Sequence, residues 1–91
     1  MPALLHEYWE SEDGAEFCAV RERNDELRPK LHPDARLSFS LYASSWFEAC
    51  QLEYECLGFG DYKPPEDIPD YAYTAEDEAE QQAYLKRRDL S

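Results

Sequence analysis

A carboxylate set into an apolar helical arc is the first candidate for chemistry in this chain. On a helical wheel of residues 46–57, Glu53 falls between Trp46, Leu57 and Ala49. Desolvation there would raise its pKa, which is how general acids are made. The plainer expectation is an acid at the core edge, paired with Arg36 or a tyrosine hydroxyl, because an unpaired buried charge is costly. The cysteines nearest it, Cys50 and Cys56, are embedded in the same helix and read as core thiols instead of nucleophiles. His6, Glu7, Glu10, His32 and Asp34 are metal-ligand types, but two lone histidines with no H-x-x-x-H or cysteine partner make poor metal spacing. His6 is expected to be a strand histidine satisfied by hydrogen bonds, and His32 a turn residue before Pro33. Cys18, Cys50 and Cys56 are odd in number and lack C-x-x-C spacing, so they read as reduced, mostly buried structural thiols. Gly58-x-Gly60 ends a helix instead of opening one and is no phosphate loop. The expectation is no catalytic residue, no metal and no cofactor.

A second feature is a segment where acids alternate with tyrosines on a proline-fixed backbone. Residues 61–80 hold eight acids against Lys63 alone, with Pro64, Pro65 and Pro69 between them. Such a segment suits a basic partner: charge steers the encounter, rings supply buried area, and prolines lower the ordering cost. The candidate partner-binding residues are Asp61, Tyr62, Glu66, Asp67, Asp70, Tyr71, Tyr73, Glu76 and Asp77. Two other readings stand beside this one. Carboxylates can occupy phosphate positions and mimic nucleic acid, or the run can be a solvated face that keeps a small protein in solution.

Charge and size narrow the function classes. The chain carries 21 acids against nine lysines and arginines, a net charge of −12 on 91 residues. That disfavours direct binding of nucleic acid or anionic membrane and favours basic surfaces. Hydrophobic content of 43% with 14% aromatics argues against disorder. There is no basic-flanked apolar leader and no run of about 18 apolar residues. A soluble, cytoplasmic protein is expected.

The elements that must position these residues follow from periodicity. Leu4–Trp9 reads as a strand with either face inward, and Ser11-Glu12-Asp13-Gly14 as a turn. Residues 15–31 fit either one helix or a short strand, Phe17–Val20, followed by a helix near 24–31. In the second reading Asn24 is the cap, and Pro29 opposes helix around Arg28. Leu37, Phe39, Leu41 and Ala43 alternate with polar partners over 36–43, the period of a half-buried strand. Ser45 and Glu48 make a capping box for a helix that stops at Gly58. Its wheel is apolar almost all round, so it is expected to be a nearly engulfed central helix. Trp46, Phe47, Tyr54 and Leu57 are expected to share one core with Leu37, Phe39 and Leu41. The prolines then predict an extended strap over the surface. Thr74 caps a polar helix at about 75–88, with acids early and bases late. Its apolar side is thin, predicting a helix loosely docked or docked on another molecule.

Ser44-Ser45-Trp46-Phe47-Glu48-Ala49, followed by Leu57-Gly58-Phe59-Gly60-Asp61-Tyr62-Lys63-Pro64, resembles a pattern in small acidic bacterial proteins of unassigned function. In physical terms it is a capped helix, a glycine stop and a proline exit. The resemblance implies a bacterial or phage origin and no activity, and no catalytic residue is carried over from it. Together these features predict one α+β domain: residues 1–60 as a core with a two- or three-stranded sheet packed on the central helix, 61–74 as strap, and 75–91 as C-terminal helix. The expected function is a non-enzymatic protein–protein interaction module for a basic partner; the alternative is a nucleic-acid mimic that inhibits a DNA- or RNA-binding protein.

Overall fold

The computed structural model describes residues 1–90. Strands β1 (Leu4–Ser11), β2 (Gly14–Ala19) and β3 (Arg36–Ala43) form one antiparallel sheet in the order β2-β1-β3. Helices α1 (Glu22–Leu31), α2 (Trp46–Leu57) and α3 (Ala75–Leu90) complete an α+β fold. The hairpin turn is just Glu12 and Asp13. Ser11 pairs with Gly14, whose φ of 133° suits a residue without a side chain.

Over residues 15–31 the chain forms a strand and then a helix, with two departures from the expected punctuation. Arg21, not Asn24, is the N-cap of α1, and no side chain caps it. Asn24 lies inside the first turn and donates to the Cys18 sulfur at 3.3 Å. Pro29 does not end the helix; α1 runs through it to Leu31. Near a helix C-terminus the missing proline N–H forfeits one bond. The preceding Arg28 is buried and held by two carboxylates, so tertiary contacts override the local preference.

Helix α2 begins and ends where its capping residues place it. The Ser45 hydroxyl accepts the Glu48 N–H at 3.1 Å, and the Glu48 carboxylate reaches back to the Ser44 N–H at 2.7 Å. Gly58 takes φ 76°, and the Phe59 N–H closes on the Tyr54 carbonyl.

Successive strand residues point to opposite faces, and here the two faces differ in chemistry. Leu4, His6 and Tyr8, with Phe17 and Ala19 of β2 and Phe39 and Leu41 of β3, form an aromatic face under α2. His6 packs at 5.6 Å from Phe17, 6.0 Å from Trp46 and 5.5 Å from Tyr73, and Tyr8 stacks on Phe39 at 4.8 Å. Leu5, Glu7 and Trp9 face α1 and α3 on the other side.

This layering corrects the engulfed-helix expectation. Only Ala49 and Cys50 of α2 are buried, while Glu48, Glu55 and Cys56 are exposed. Trp46 meets the sheet, but Phe47 and Tyr54 pack on Tyr62 and Phe59 of the following segment. Leu37 also leaves the expected core. A register shift between Tyr8 and Trp9 pairs it with Trp9 instead of Glu10, on the face away from Tyr8. A helical wheel counts apolar positions, and it does not say whether rings pack on a sheet or on an outer strap.

Helix α3 is docked on this chain's own sheet, and through polar groups. The Gln81 amide accepts from the Leu5 N–H at 2.7 Å and donates to the Leu5 and Val20 carbonyls at 2.9 and 3.1 Å. It serves backbone groups at the end of the β1–β2 ladder as another strand would. Glu78 accepts the Ala3 N–H at 2.9 Å.

The core position yields a direct test. Leu4 is 1% exposed and Leu37 is 48% exposed. Leu4→Ala is expected to cost about 3–4 kcal/mol in urea denaturation, and Leu37→Ala less than about 1 kcal/mol. Equal losses would place the core elsewhere.

Candidate functional site

The acidic segment is pinned at both ends and exposed between. At its start the Tyr62 N–H donates to Gln51 Oε1 at 2.8 Å, and the Tyr62 ring sits edge-on to Tyr54 and Phe47. At its end the backbone pairs with the turn before α2: Trp46 N–H to the Tyr71 carbonyl, Tyr73 N–H to the Ser44 carbonyl, and a Ser45–Ala72 bridge. Residues 63–72 are exposed throughout, Ile68 and Tyr71 to 55% and 53%.

The nine candidate residues separate by role. Asp61, Glu66, Asp67 and Glu76 are exposed. Tyr62 is an anchor. Asp70 caps α2, accepting the Phe47 N–H at 2.8 Å. Asp77 caps α3 reciprocally with Thr74, at 3.0 and 3.1 Å, and accepts from the Tyr71 hydroxyl at 2.9 Å. Those bonds, led by the Thr74 backbone, hold the Asp77 carboxyl below its usual range. Tyr73 leaves the candidate surface: it is a core residue, packed with Leu4 and Ala19.

Tyr73 also explains His6. His6 is fully buried, with Nδ1 at 3.0 Å from the Leu4 carbonyl and Nε2 at 2.7 Å from the Tyr73 hydroxyl. A carbonyl only accepts, so Nδ1 carries the proton and Nε2 accepts from Tyr73. Burial lowers the His6 pKa and pushes the Tyr73 phenol up to about 12. The pair is a neutral hydrogen-bonded clamp between β1 and the end of the strap.

The other candidates are dispersed. Adjacent residues of one strand point apart, so His6 and Glu7 lie on opposite faces. His32 Nδ1 is 3.3 Å from Asp13, and Asp34 accepts the Glu12 N–H at 2.8 Å. Among the described residues no three metal-ligating side chains converge. Glu53 is half-buried, and burial raises its pKa. Among the described residues no hydrogen bond or ion pair joins it to Arg36 or to a tyrosine hydroxyl. Cys50 is buried, and its thiol is pushed up by burial; burial and then Glu16 push Cys18 up to about 11. Cys56 is exposed, against the expectation of three mostly buried thiols, because α2 covers the sheet with one side only.

Sequence reading missed the best-formed polar cluster, on the second face of the sheet. Glu7 is 5% exposed in the central strand and accepts from Arg88 at 3.3 and 3.4 Å and from Trp9 Nε1 at 3.1 Å. Arg28 bonds Asp25 at 3.0 Å and Glu16 at 3.2 Å, and its guanidinium lies 4.1 Å above the Trp9 ring. Asp25 also takes Arg88 at 3.2 Å and the Tyr84 hydroxyl. Burial disfavours the Asp25 charge, but the bonds from Tyr84, Arg28 and Arg88 outweigh it and lower its pKa. Asp25 and Arg28 stand at i,i+3 spacing, a legible signal. The reach of Arg88 to Glu7, 81 residues away, has none. Trp9, Tyr84, Pro29 and Pro33 wall a cleft of about 440 Å³ beside the cluster. The arginines and the acid lining it bond one another.

No protein-family model, curated protein or solved structure matches the chain.

Two measurements test these assignments. The folded state lowers the His6 pKa, so between that value and 6.5 the unfolded chain binds more protons. The His6 contribution to stability is complete above about pH 6.5 and is lost as pH falls, with a slope of at most ~1.4 kcal/mol per pH unit. The His6→Phe/Tyr73→Phe pair removes both polar partners and should flatten that slope in denaturant titrations at pH 5–7. With a thiol reagent, Cys56 should label rapidly in the native protein, and Cys18 and Cys50 only on unfolding. Fast native labelling of Cys50 would contradict its buried placement.

Proposed function

We propose that the protein is a non-enzymatic protein–protein interaction module whose strap engages a basic partner. One observation carries this reading: residues 63–72 are held at both ends yet exposed along their length, and they present Ile68 and Tyr71 beside Glu66 and Asp67. An anchored segment loses less conformational entropy on binding than a free tail. Apolar side chains framed by acids fit a surface with an apolar centre and a cationic rim. Phe59, in the segment between α2 and the strap, is also exposed and packs edge-on to Tyr54.

The distribution of charge supports the same reading. Among the described residues, Arg28, Arg87 and Arg88 form ion pairs with acids of this chain. Along the strap Lys63 is the sole base, so the field there is set by carboxylates.

The test separates binding acids from capping acids. Glu66→Gln/Asp67→Asn alters exposed charge alone and should leave unfolding free energy within about 0.5 kcal/mol per substitution. Protein immobilised at low salt should capture a basic protein from its native host. Capture should slow as salt rises past about 0.1 M, where the Debye length is ~10 Å. The double variant should lower the association rate severalfold with a smaller effect on dissociation. An acidic partner, or one indifferent to both salt and these substitutions, would reduce the strap to a solubilising face.

A further inference from the structure

We infer that the free edge of β3 is a strand-docking site for an extended peptide with an uncharged centre and basic ends. The inference rests on the proposal that the partner is basic, and it adds a second contact on another part of the molecule. Among the described residues, β3 is an edge strand paired only with β1. Among the described residues, no backbone hydrogen bond from outside the sheet reaches residues 36–43. Its outward N–H and C=O groups are therefore unspent along an eight-residue strand.

Edge strands usually carry lysine, proline or inward-pointing charge that prevents pairing. β3 has almost none of this. Residues 37–47 contain no charged side chain and no proline, in a chain that is 33% charged. The other edge, β2, is shorter and holds Glu16, which is tied to Arg28 of α1. The one defence of β3 is the register shift beside Ser38. Helices α1 and α3 make their contacts with β1 and β2, so Leu37, Ser38, Ser40 and Tyr42 of β3 stay exposed.

Charge selects the occupant. Acids bracket the neutral strand: Glu10 lies across from Arg36, Asp34 precedes it by two residues, and Glu48 is bonded to Ser44 just beyond Ala43. Arg36 is the only base on the strand and already faces Glu10. A second copy of this chain would bring another net charge of −12 to the same edge. A basic strand meets attraction at both ends and an uncharged centre between. Main-chain hydrogen bonds would supply affinity, and Leu37 and Tyr42 would select side chains along one side.

The probe is a synthetic peptide of alternating valine and threonine flanked by lysines, about nine residues long, beside an otherwise identical peptide methylated on alternate backbone nitrogens. Hydrogen exchange is read residue by residue on the intact protein. The unmethylated peptide should slow exchange of the outward amides of residues 37–43 at least about tenfold, the methylated one should not, and Glu66→Gln/Asp67→Asn should leave this protection in place. If both peptides bind alike and only strap amides respond, the edge site is wrong while the basic-partner proposal stands. Equal protection by a lysine-free peptide would overturn the charge selection. Protection that grows with protein concentration alone would assign the edge to a second copy. No protection under any condition would overturn the inference.

Discussion

A carboxylate buried in the middle of the central strand needs a cation, and that requirement organises one whole side of this molecule. Glu7 is nearly shut off from water in its position, and an unpaired charge there would be costly. Arg88 reaches it from the far end of α3, while Arg28 of α1 joins the same cluster through Asp25. Asp25 is shared by both arginines, so the two helices are fixed relative to each other as well as to the sheet. Arg28 Nε remains buried without a hydrogen-bond partner. The indole of Trp9 beneath the guanidinium offsets part of that cost.

The opposite face is closed by different means. There a neutral histidine sits among aromatic rings, and its single remaining acceptor is met by Tyr73. That bond joins β1 to the end of the strap, immediately before Thr74 starts α3. The chain therefore passes from the aromatic layer to the charged layer around one clamp. Gln81 then secures the crossing by bonding the ends of β1 and β2. Opposed chemistry on the two faces lets a domain this small hold three helices on three strands without a large apolar core.

The strap acquires its character from what holds it. Tyr62 at one end and residues 71–73 at the other are spent on packing and backbone bonds, and Asp70 and Asp77 are spent on helix caps. The acids left over, chiefly Glu66 and Asp67, sit with Ile68 in the exposed stretch. A linear count of carboxylates overstates the interactive charge, because a cap is a structural use of the same group.

Local signals determined much of this protein. Alternation from Arg36 to Ala43, the Ser45–Glu48 box, the Gly58 stop and the Thr74 cap act within a few residues, and each element lies where they place it. The exposed, proline-held strap is legible for the same reason, since proline acts on its own backbone. What tertiary structure alone decided concerns partners far apart in the chain. Pro29 stays in a helix because Arg28 is held by Glu16 and Asp25, and Tyr73 is buried because His6 needs a donor. A polar α3 docks because Gln81 and Arg88 find backbone groups and carboxylates some 76 to 81 residues away. Composition and periodicity report how much apolar surface an element carries. They do not report which buried polar group will require it, and here such groups decide the arrangement.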